Sequence, residues 1–557
     1  MEKIWMKYWP EDVPKEVVFS EGKIPVFEYL RIHAKRTPDK KAIIYYGREI
    51  SYRELDESSD RFANYLLDLG LVKGDRIGLF LGNSPQYAIA HFGILKMGGI
   101  VCPISPLFKE MELKYEVNDA GMKCLVTLDI FMPIVKKVLP DMPTLLSIVT
   151  TNFHDYMPAQ PTINVVDYMN IAKQKVSGTQ DFMEIMEKWR VDPPSVKINL
   201  EYDIALFEYT GGTTGLPKGA MLSHYAHLFK PSAAATLNGF DENSIVLTTM
   251  PFFNIAGMLF LVAPVQRGAT NIMLTQFDPL SVLQAIDRYK PTFWYSMVPM
   301  NLAVMNHPES AHYDLSSLKL NPCTSFVVAL NEKIAKQWKT FTKGCELFEG
   351  AYGLSETHTL DTFMPRSRIK YGSVGIPSFE EEIKIMDFND KTKELPIGEE
   401  GEIVLRNPGC MKGYWNKPEE SANTLIDGFV HTGDVGRFDE DGYLYWLGRK
   451  KEMIKVSGFS IFPEEVEALI NQHPAVLENA VIPISDAKKG EAVKTFIVLK
   501  PDYVGKVTTE EIIEWAKEHM SPQKVPASVE FRKELPKQGV KLMRRILRDE
   551  EEKKRLS

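Results

Sequence analysis

From Val26 onward, amphipathic segments such as VFEYLRIHAKR and YRELDESSDRFANYLLDLG alternate with short apolar runs such as RIGLFLG, IVCPIS and KCLVTL, each bounded by Gly or Pro. A helix with one apolar stripe and a strand with no polar face bury their apolar surfaces best against each other. Helices layered on a largely parallel sheet are therefore expected. SIVLTTM, ATNIMLT and PTFWYSMVP continue the series, with the helical PLSVLQAIDRYK among them. The 557 residues exceed the ~250–300 at which a single core stops growing, so more than one domain is required. Beyond Pro396 the texture changes. GEEGEIVLRNPG and GFVHTGDVGRFDEDGYLYWLGR read as short alternating strands with tight turns, which predicts a β-rich subdomain over about 380–450. After Arg449, KEMIKVSGFSI, PEEVEALINQH, AVIPI, TFIVLK and TTEEIIEWAKEHM predict a compact α+β unit. The fold class is α/β, with a large layered domain over 1–450 and a small α+β domain over 451–557.

Composition excludes several classes. The 66 basic and 74 acidic residues leave a net charge of −8, too acidic for a chain that wraps nucleic-acid phosphates. Five cysteines, Cys102, Cys124, Cys323, Cys345 and Cys410, are odd in number and widely spaced, so neither a disulfide framework nor a zinc CxxC pair is expected. The N-terminus mixes acid, base and proline and has no signal-peptide core. The most apolar stretch, 255–265, falls short of the ~20 residues that span a bilayer. A cytoplasmic protein without integral membrane contact is expected, and the sequence leaves a homodimer open.

Residues 209–219 read YTGGTTGLPKG, between a strand-like DIALFEY and a helix-like AMLSHYAHLF. Gly211, Gly212 and Gly215 let backbone N–H groups approach an anion. Thr210, Thr213 and Thr214 offer hydroxyls, and Lys218 adds charge. Phosphate is the natural ligand. A mononucleotide P-loop is excluded, because Pro217 precedes the lysine where glycine is needed and Gly219 follows it where a hydroxyl is needed.

TGGTTGLPKGAMLSH resembles the phosphate loop of the adenylate-forming enzymes, which include acyl-CoA synthetases, luciferases and peptide-synthetase adenylation domains. AYGLSET (351–357), GEIVLRNPGCMKGYW (401–415), HTGD (431–434), GRKKEMIKVSGFSIFPEEVE (448–467) and KLMRRILR (541–548) extend the likeness in order through residues 20–550. Medium-chain acyl-CoA ligases are the nearest group within it. The resemblance implies that Glu356 and Thr210 hold Mg²⁺, that Tyr352 lies against adenine, and that Gly353 and Thr357 belong to the same nucleotide pocket. Asp434 would accept both ribose hydroxyls, with Arg449 assisting at the ribose or phosphates. Lys541 would be a mobile catalytic lysine that bridges the acid's carboxylate and the α-phosphate. The family pattern P-K-T-x-x-G-K is here Pro536-Lys537-Gln538-Gly539-Val540-Lys541, one residue shorter, which makes Lys537 the alternative. Lys541, Arg544, Arg545 and Arg548 also recur at helical spacing, as on a solvated basic face. A hinge near Lys451 would let the tail rotate and bring Ser457, Gly458 and Phe459 to a CoA arm.

The same resemblance places the acid beside Asn254, Val298, Val327, Val328, Ala329 and Gly353. Phe326, Val327, Val328 and Ala329 stand where many relatives carry small residues, which predicts a short to medium acid, and Asn254 suggests a hydroxyl on it. Gly353 replaces the tryptophan of acetate-specific relatives. The activity implied is ATP-dependent acid–CoA ligation through acyl-AMP, with release of AMP and pyrophosphate, in fatty acid metabolism. Two alternatives are a carrier-protein adenylation or luciferase-like enzyme on the same scaffold, and a degenerate, non-catalytic nucleotide binder. His224 and His227 form an H-x-x-H pair without a third ligand or an H-E-x-x-H motif, and read as two satisfied or exposed histidines.

Overall fold

The computed structural model describes residues 3–210, 216–325, 328–456, 459–486, 490–538 and 541–556. Two seven-stranded sheets form the large domain. In one, the strands run in the order Glu346–Glu349, Leu320–Thr324, Phe293–Met297, Ile245–Thr248, Thr270–Met273, Lys41–Tyr45 and Arg48–Ser51. All these pairs are parallel except the last. The other runs Gln180–Asp181, Ser147–Thr151, Cys124–Leu128, Arg76–Phe80, Ile100–Pro103, Ile204–Thr210 and Lys218–Ser223, again parallel up to a final antiparallel pair.

The apolar runs of the sequence are these strands. Cys124–Leu128 and Ile100–Pro103 are buried at every residue, as strands covered on both faces must be. The helices Pro85–Lys96 and His224–Leu237 are likewise buried throughout. The apolar stretch too short for a membrane is the core helix Ile255–Gln266. Among the described residues no helix is long and apolar enough to cross a membrane. A helix without a polar face has to be enclosed by other layers, and these three are.

Residues 382–449 form a five-stranded antiparallel sheet. After the short turn Lys450–Glu452, a second five-stranded sheet spans 454–531, with the helices Pro463–Ile470 and Thr509–His519 packed on it.

One expected element is different. AMLSHYAHLF does not open a helix after the glycine loop: Lys218–Ser223 is a strand antiparallel to Ile204–Thr210, and the helix starts only at His224. Residues 412–415 pair with its other edge, Met221 N donating to Gly413 O (2.9 Å) and Trp415 N to Gly219 O (2.9 Å). Those bonds commit 219–221 to extended backbone. The Ser223 side chain then caps the helix by accepting from Ala226 N.

Candidate active site

The hairpin formed by Ile204–Thr210 and Lys218–Ser223 places Thr210 directly opposite Lys218 at the mouth of the glycine loop. Gly211, Gly212, Thr213, Thr214 and Gly215 lie outside the described residues. Lys218 Nζ stands 4.4 Å from the centre of the Tyr414 ring, a cation–π contact. The Tyr414 hydroxyl donates to Glu356 Oε1 at 2.7 Å. Tyr414 therefore links the loop lysine to the acidic residue of the SET turn. Burial and the neighbouring Glu356 hold its hydroxyl well above the usual tyrosine range, so it stays a donor. It lies within the quoted GYW segment, yet nothing in the sequence distinguishes it from a core tyrosine. Glu356 sits in the single turn Ser355–Thr357, fixed by Met411 N donating to its carbonyl at 2.7 Å.

Opposite lies the second cluster. Tyr352 donates its hydroxyl to Asp434 Oδ2 (2.6 Å), and Arg449 Nε pairs with Asp434 Oδ1 (2.8 Å). The strand register that makes Asp434 and Arg449 cross-strand neighbours produces this pair. Burial raises the Asp434 carboxyl while Arg449 and Tyr352 oppose the shift.

Side chains from separated stretches of the chain meet in these contacts, Lys218 and Glu356 on Tyr414, and Tyr352 and Arg449 on Asp434. The profile of the AMP-binding enzymes matches residues 30–415, and that of their C-terminal domain matches residues 465–541. The chain belongs to the AMP-binding enzymes. It is 37% identical to a long-chain-fatty-acid–CoA ligase of Bacillus subtilis (strain 168), over 99% of this chain and 98% of that one. It is 35% identical to one of Yersinia pestis, over 99% of both. Among solved structures it resembles the anthranilate CoA ligase AuaEII in complex with anthranoyl-AMP, with a TM-score of 0.82, 27% identity and coverage of 97% and 98%. ATP-bound MatB from Rhodopseudomonas palustris gives a TM-score of 0.81 at 25% identity, with coverage of 94% and 99%.

In this AMP-binding enzyme the predicted acid residues differ in burial, and none of those described lines the apolar cavity beside Tyr352. An apolar cavity of about 50 Å³ is lined by Ala256 and Phe260 of the core helix, by Tyr295, and by Gly350 and Ala351 just before Tyr352. A Cβ at Gly350 would lie 2.9 Å from the Tyr295 ring, so a side chain there would intrude on the lining. Asn254 is exposed at the start of the core helix, Ala329 is exposed, and Val298 is buried in the core. Val328 is half-buried, and Phe326 and Val327 lie outside the described residues. Ser325, at the start of that segment, donates through Oγ to Glu349 and accepts from Leu330 N at 3.0 Å, which ties its two ends together. Burial pushes the Glu349 carboxyl up to about 7.

Gly353 does not line the cavity. A Cβ there would lie 2.5 Å from Thr359 Cα, because the chain turns back through His358, Thr359 and Leu360 at φ of 58°, 56° and 57°. The glycine is needed for this backbone packing. The turn is held by a buried cluster that sequence reading missed. Lys230 Nζ donates to Asp361 Oδ1 (2.8 Å) and to Leu360 O (3.3 Å), and Thr357 Oγ1 donates to Asp361 Oδ2 (2.5 Å). Glu381 Oε2 stands 3.6 Å from Lys230 Nζ, and Asn407 bridges both carboxyls. Burial raises both carboxyls, Glu381 well above its ordinary range, which favours a neutral Glu381 and leaves Lys230 and Asp361 as the ion pair.

Both histidines of the H-x-x-H pair are buried, so His227 fits the expectation of a satisfied histidine and His224 fits neither the satisfied nor the exposed one. His227 hydrogen-bonds to His91 (3.1 Å) and to His358 (2.9 Å), and neither nitrogen of His224 has a partner among the described residues. Burial lowers His91 and His358 to about 3 and His224 to about 4, so they are neutral near pH 7. No group able to hold a metal through three or more His, Cys, Asp or Glu occurs among the described residues.

Tyr414→Phe should lower the rate of adenylation roughly 10- to 100-fold. It removes a hydrogen bond to a charged group worth about 1.5–3 kcal/mol and leaves the ring under Lys218. Single-turnover acyl-AMP formation checks this, and an unchanged rate would separate Tyr414 from the chemistry.

Proposed function

We propose that this AMP-forming acyl-CoA ligase activates a straight-chain fatty acid, which reacts with ATP to give acyl-AMP and pyrophosphate. The CoA thiol then displaces AMP to give the thioester. The observation that carries this reading is the convergence of Thr210, Lys218, Tyr414 and Glu356 at the mouth of the glycine loop, facing Tyr352, Asp434 and Arg449. An anionic acid attacking an anionic phosphate needs charge neutralised and the two reactants aligned.

Thr210 and Glu356 fit Mg²⁺. Glu356 Oε1 is engaged by Tyr414, its Oε2 has no hydrogen-bond partner among the described residues, and a hydroxyl and a carboxylate are the hard oxygen donors that this ion takes. When bound, the ion would draw charge off the phosphates. Lys218 would contact phosphate oxygens, Asp434 the ribose and Tyr352 the adenine. Gly353 and Thr357 would shape the pocket from beneath, with the glycine loop wrapping the phosphates.

Lys541 is the proposed source of the positive charge that bridges acid and α-phosphate. Its backbone pairs with Gln538 in a two-stranded ladder, and it lies before the helix Arg544–Leu556, not within it. Lys537, the alternative, is ion-paired with Glu478 on the tail's own sheet. We place the domain division and hinge at Lys451, with 1–450 and 451–557 on either side. On the N-terminal side, Lys450 Nζ donates to Phe388 O (3.1 Å) and lies 3.6 Å from Glu402. Just beyond, Glu452 pairs with Arg544 (2.5 Å), which also holds Glu464 and Glu467 of the tail. The two neighbours of Lys451 are thus fastened to different bodies, which supports rotation about it. Rotation would bring 457–459 to the CoA arm; Ser457 and Gly458 lie outside the described residues, and Phe459 opens a strand.

For the acid, the apolar lining and the names of the relatives support a fatty acid longer than FVVAL alone suggests. A panel of even-numbered acids from butanoate to octadecanoate, with a 3-hydroxy acid for Asn254 and a set of amino acids, tests it. The expected result is kcat/KM that rises over several methylenes, each worth about 0.8 kcal/mol or roughly fourfold. A flat series, or activity on amino acids alone, would overturn it.

A further inference from the structure

The acyl cavity does not end on the core sheets. Its lining continues past Phe363 and Met364 to Pro10 and Val13, on a segment that precedes every core strand in the chain. That segment is a strap fastened at both ends. Upstream, Trp9 sets its ring edge against Phe363 (5.0 Å) and Phe379 (5.1 Å), and Tyr8 donates to Asp441. Downstream, Val18 N donates to Thr236 Oγ1 (3.1 Å), Arg267 Nη2 donates to Val18 O (2.9 Å), and Ser20 Oγ donates to Gln266 O (2.8 Å). Trp9 Nε1 donating to Val13 O (3.0 Å) closes the turn between them.

Between its anchors the strap keeps one side in solvent and buries the other. Glu11, Asp12, Pro14, Lys15 and Glu16 are exposed, while Pro10, Val13 and Val17 turn inward. Val13, 6% exposed, faces the cavity. Asp12 and Arg366 pair across the rim at 2.5 Å, with the Asp12 side chain 67% exposed, so solvent screens the latch. Much of the remaining wall, including Ala256, Phe260, Tyr295 and Phe348, belongs to helices and strands of the core, which resist shifting without repacking.

We propose that Val13 is the end wall of the acyl cavity and sets the longest alkyl chain the enzyme accepts. This rests on the fatty-acid reading above and deepens it. An acid whose carboxylate lies beside Tyr352 enters the cavity at Gly350 and Ala351 and fills it toward the strap. Methylenes that stop short of Val13 gain apolar burial. The first that overlaps it must push the strap off its anchors or distort the tail.

The test is the chain-length profile of kcat/KM, from butanoate to octadecanoate, for the full-length wild type, Val13→Trp and Val13→Ala. Val13→Trp should move the cut-off at least two carbons shorter, lowering the ratio of kcat/KM for the wild type's best acid to that for butanoate by tenfold or more. Val13→Ala removes bulk with little risk to folding and should move the cut-off one or two carbons longer. Cut-offs unchanged in both variants, in enzymes that still activate butanoate, would overturn the role of Val13 and leave the fatty-acid reading standing. A wild type that activates no acid would overturn both.

Discussion

Replacing Lys541 by Ala should slow acyl-AMP formation by a factor of roughly 10²–10³, the usual cost of removing one preorganised charge or donor from a developing anionic transition state. Thioester formation from synthetic acyl-AMP and CoA should change little in the same variant, because in that step a thiol attacks from the side that the lysine would occupy. One lysine cannot hold that position in both steps, and the proposed hinge at Lys451 would let it leave. Lys537→Ala is the paired control: Lys537 is ion-paired with Glu478 on the tail's own sheet, and its loss should spare adenylation. Pre-steady-state measurement of each half-reaction gives the answer. Equal loss of both half-reactions in Lys541→Ala would refute the assignment, and selective loss of adenylation in Lys537→Ala would transfer the role.

Lys230→Met should destabilise the large domain by about 3–5 kcal/mol, the cost of leaving a buried carboxylate without its partner. Lys230 and Asp361 are both completely or almost completely buried, so solvent cannot compensate. The loss reaches the site through the backbone. His358, Thr359 and Leu360 occupy left-handed conformations that cost non-glycine residues roughly 1–2 kcal/mol each, and such strain persists only where the surroundings over-determine it. Lys230 bonds to Leu360 O, Asp361 N donates to Tyr352 O (2.8 Å), and Thr359 N donates to Leu354 O (2.8 Å). Together they hold the turn between Glu356 and the cavity wall formed by Thr359 and Leu360. Urea denaturation monitored at two probes measures the effect. A shift below about 1 kcal/mol would show that the turn is held by other contacts.

The parts of this architecture that were legible in the sequence are those written locally. The apolar runs became the buried parallel strands because a strand covered on both faces is mostly apolar, its few polar side chains being hydrogen-bonded. The composition of the glycine-threonine loop singled it out in the sequence, and two of its residues, Thr210 and Lys218, stand opposite each other across a hairpin. What escaped depends on residues distant in sequence. Lys230, Asp361, Glu381 and Asn407 are ordinary polar residues until four segments bury them together. Tyr414 gains its place from pairing with Ala220, nearly two hundred residues earlier, and the bonds around that pair make the AMLS of a helix-like AMLSHYAHLF a strand, leaving the helix to start at His224. Gly353 read as a missing pocket floor, yet close backbone packing against Thr359 accounts for it. The acid pocket was the least legible part. Its lining draws on Val13, Phe260, Tyr295 and Leu360, whose common cavity no linear pattern reveals.

In the proposed mechanism the cluster of Thr210, Lys218, Tyr414 and Glu356 directs a fatty acid onto the α-phosphate of ATP. The most direct measurement is the identity of the nucleotide released with a fatty acid and CoA. One AMP and one pyrophosphate are expected for each acyl-CoA, with ATP–pyrophosphate exchange that needs the acid and not CoA. Release of ADP and inorganic phosphate, or ATP binding with no turnover on any acid, would contradict it.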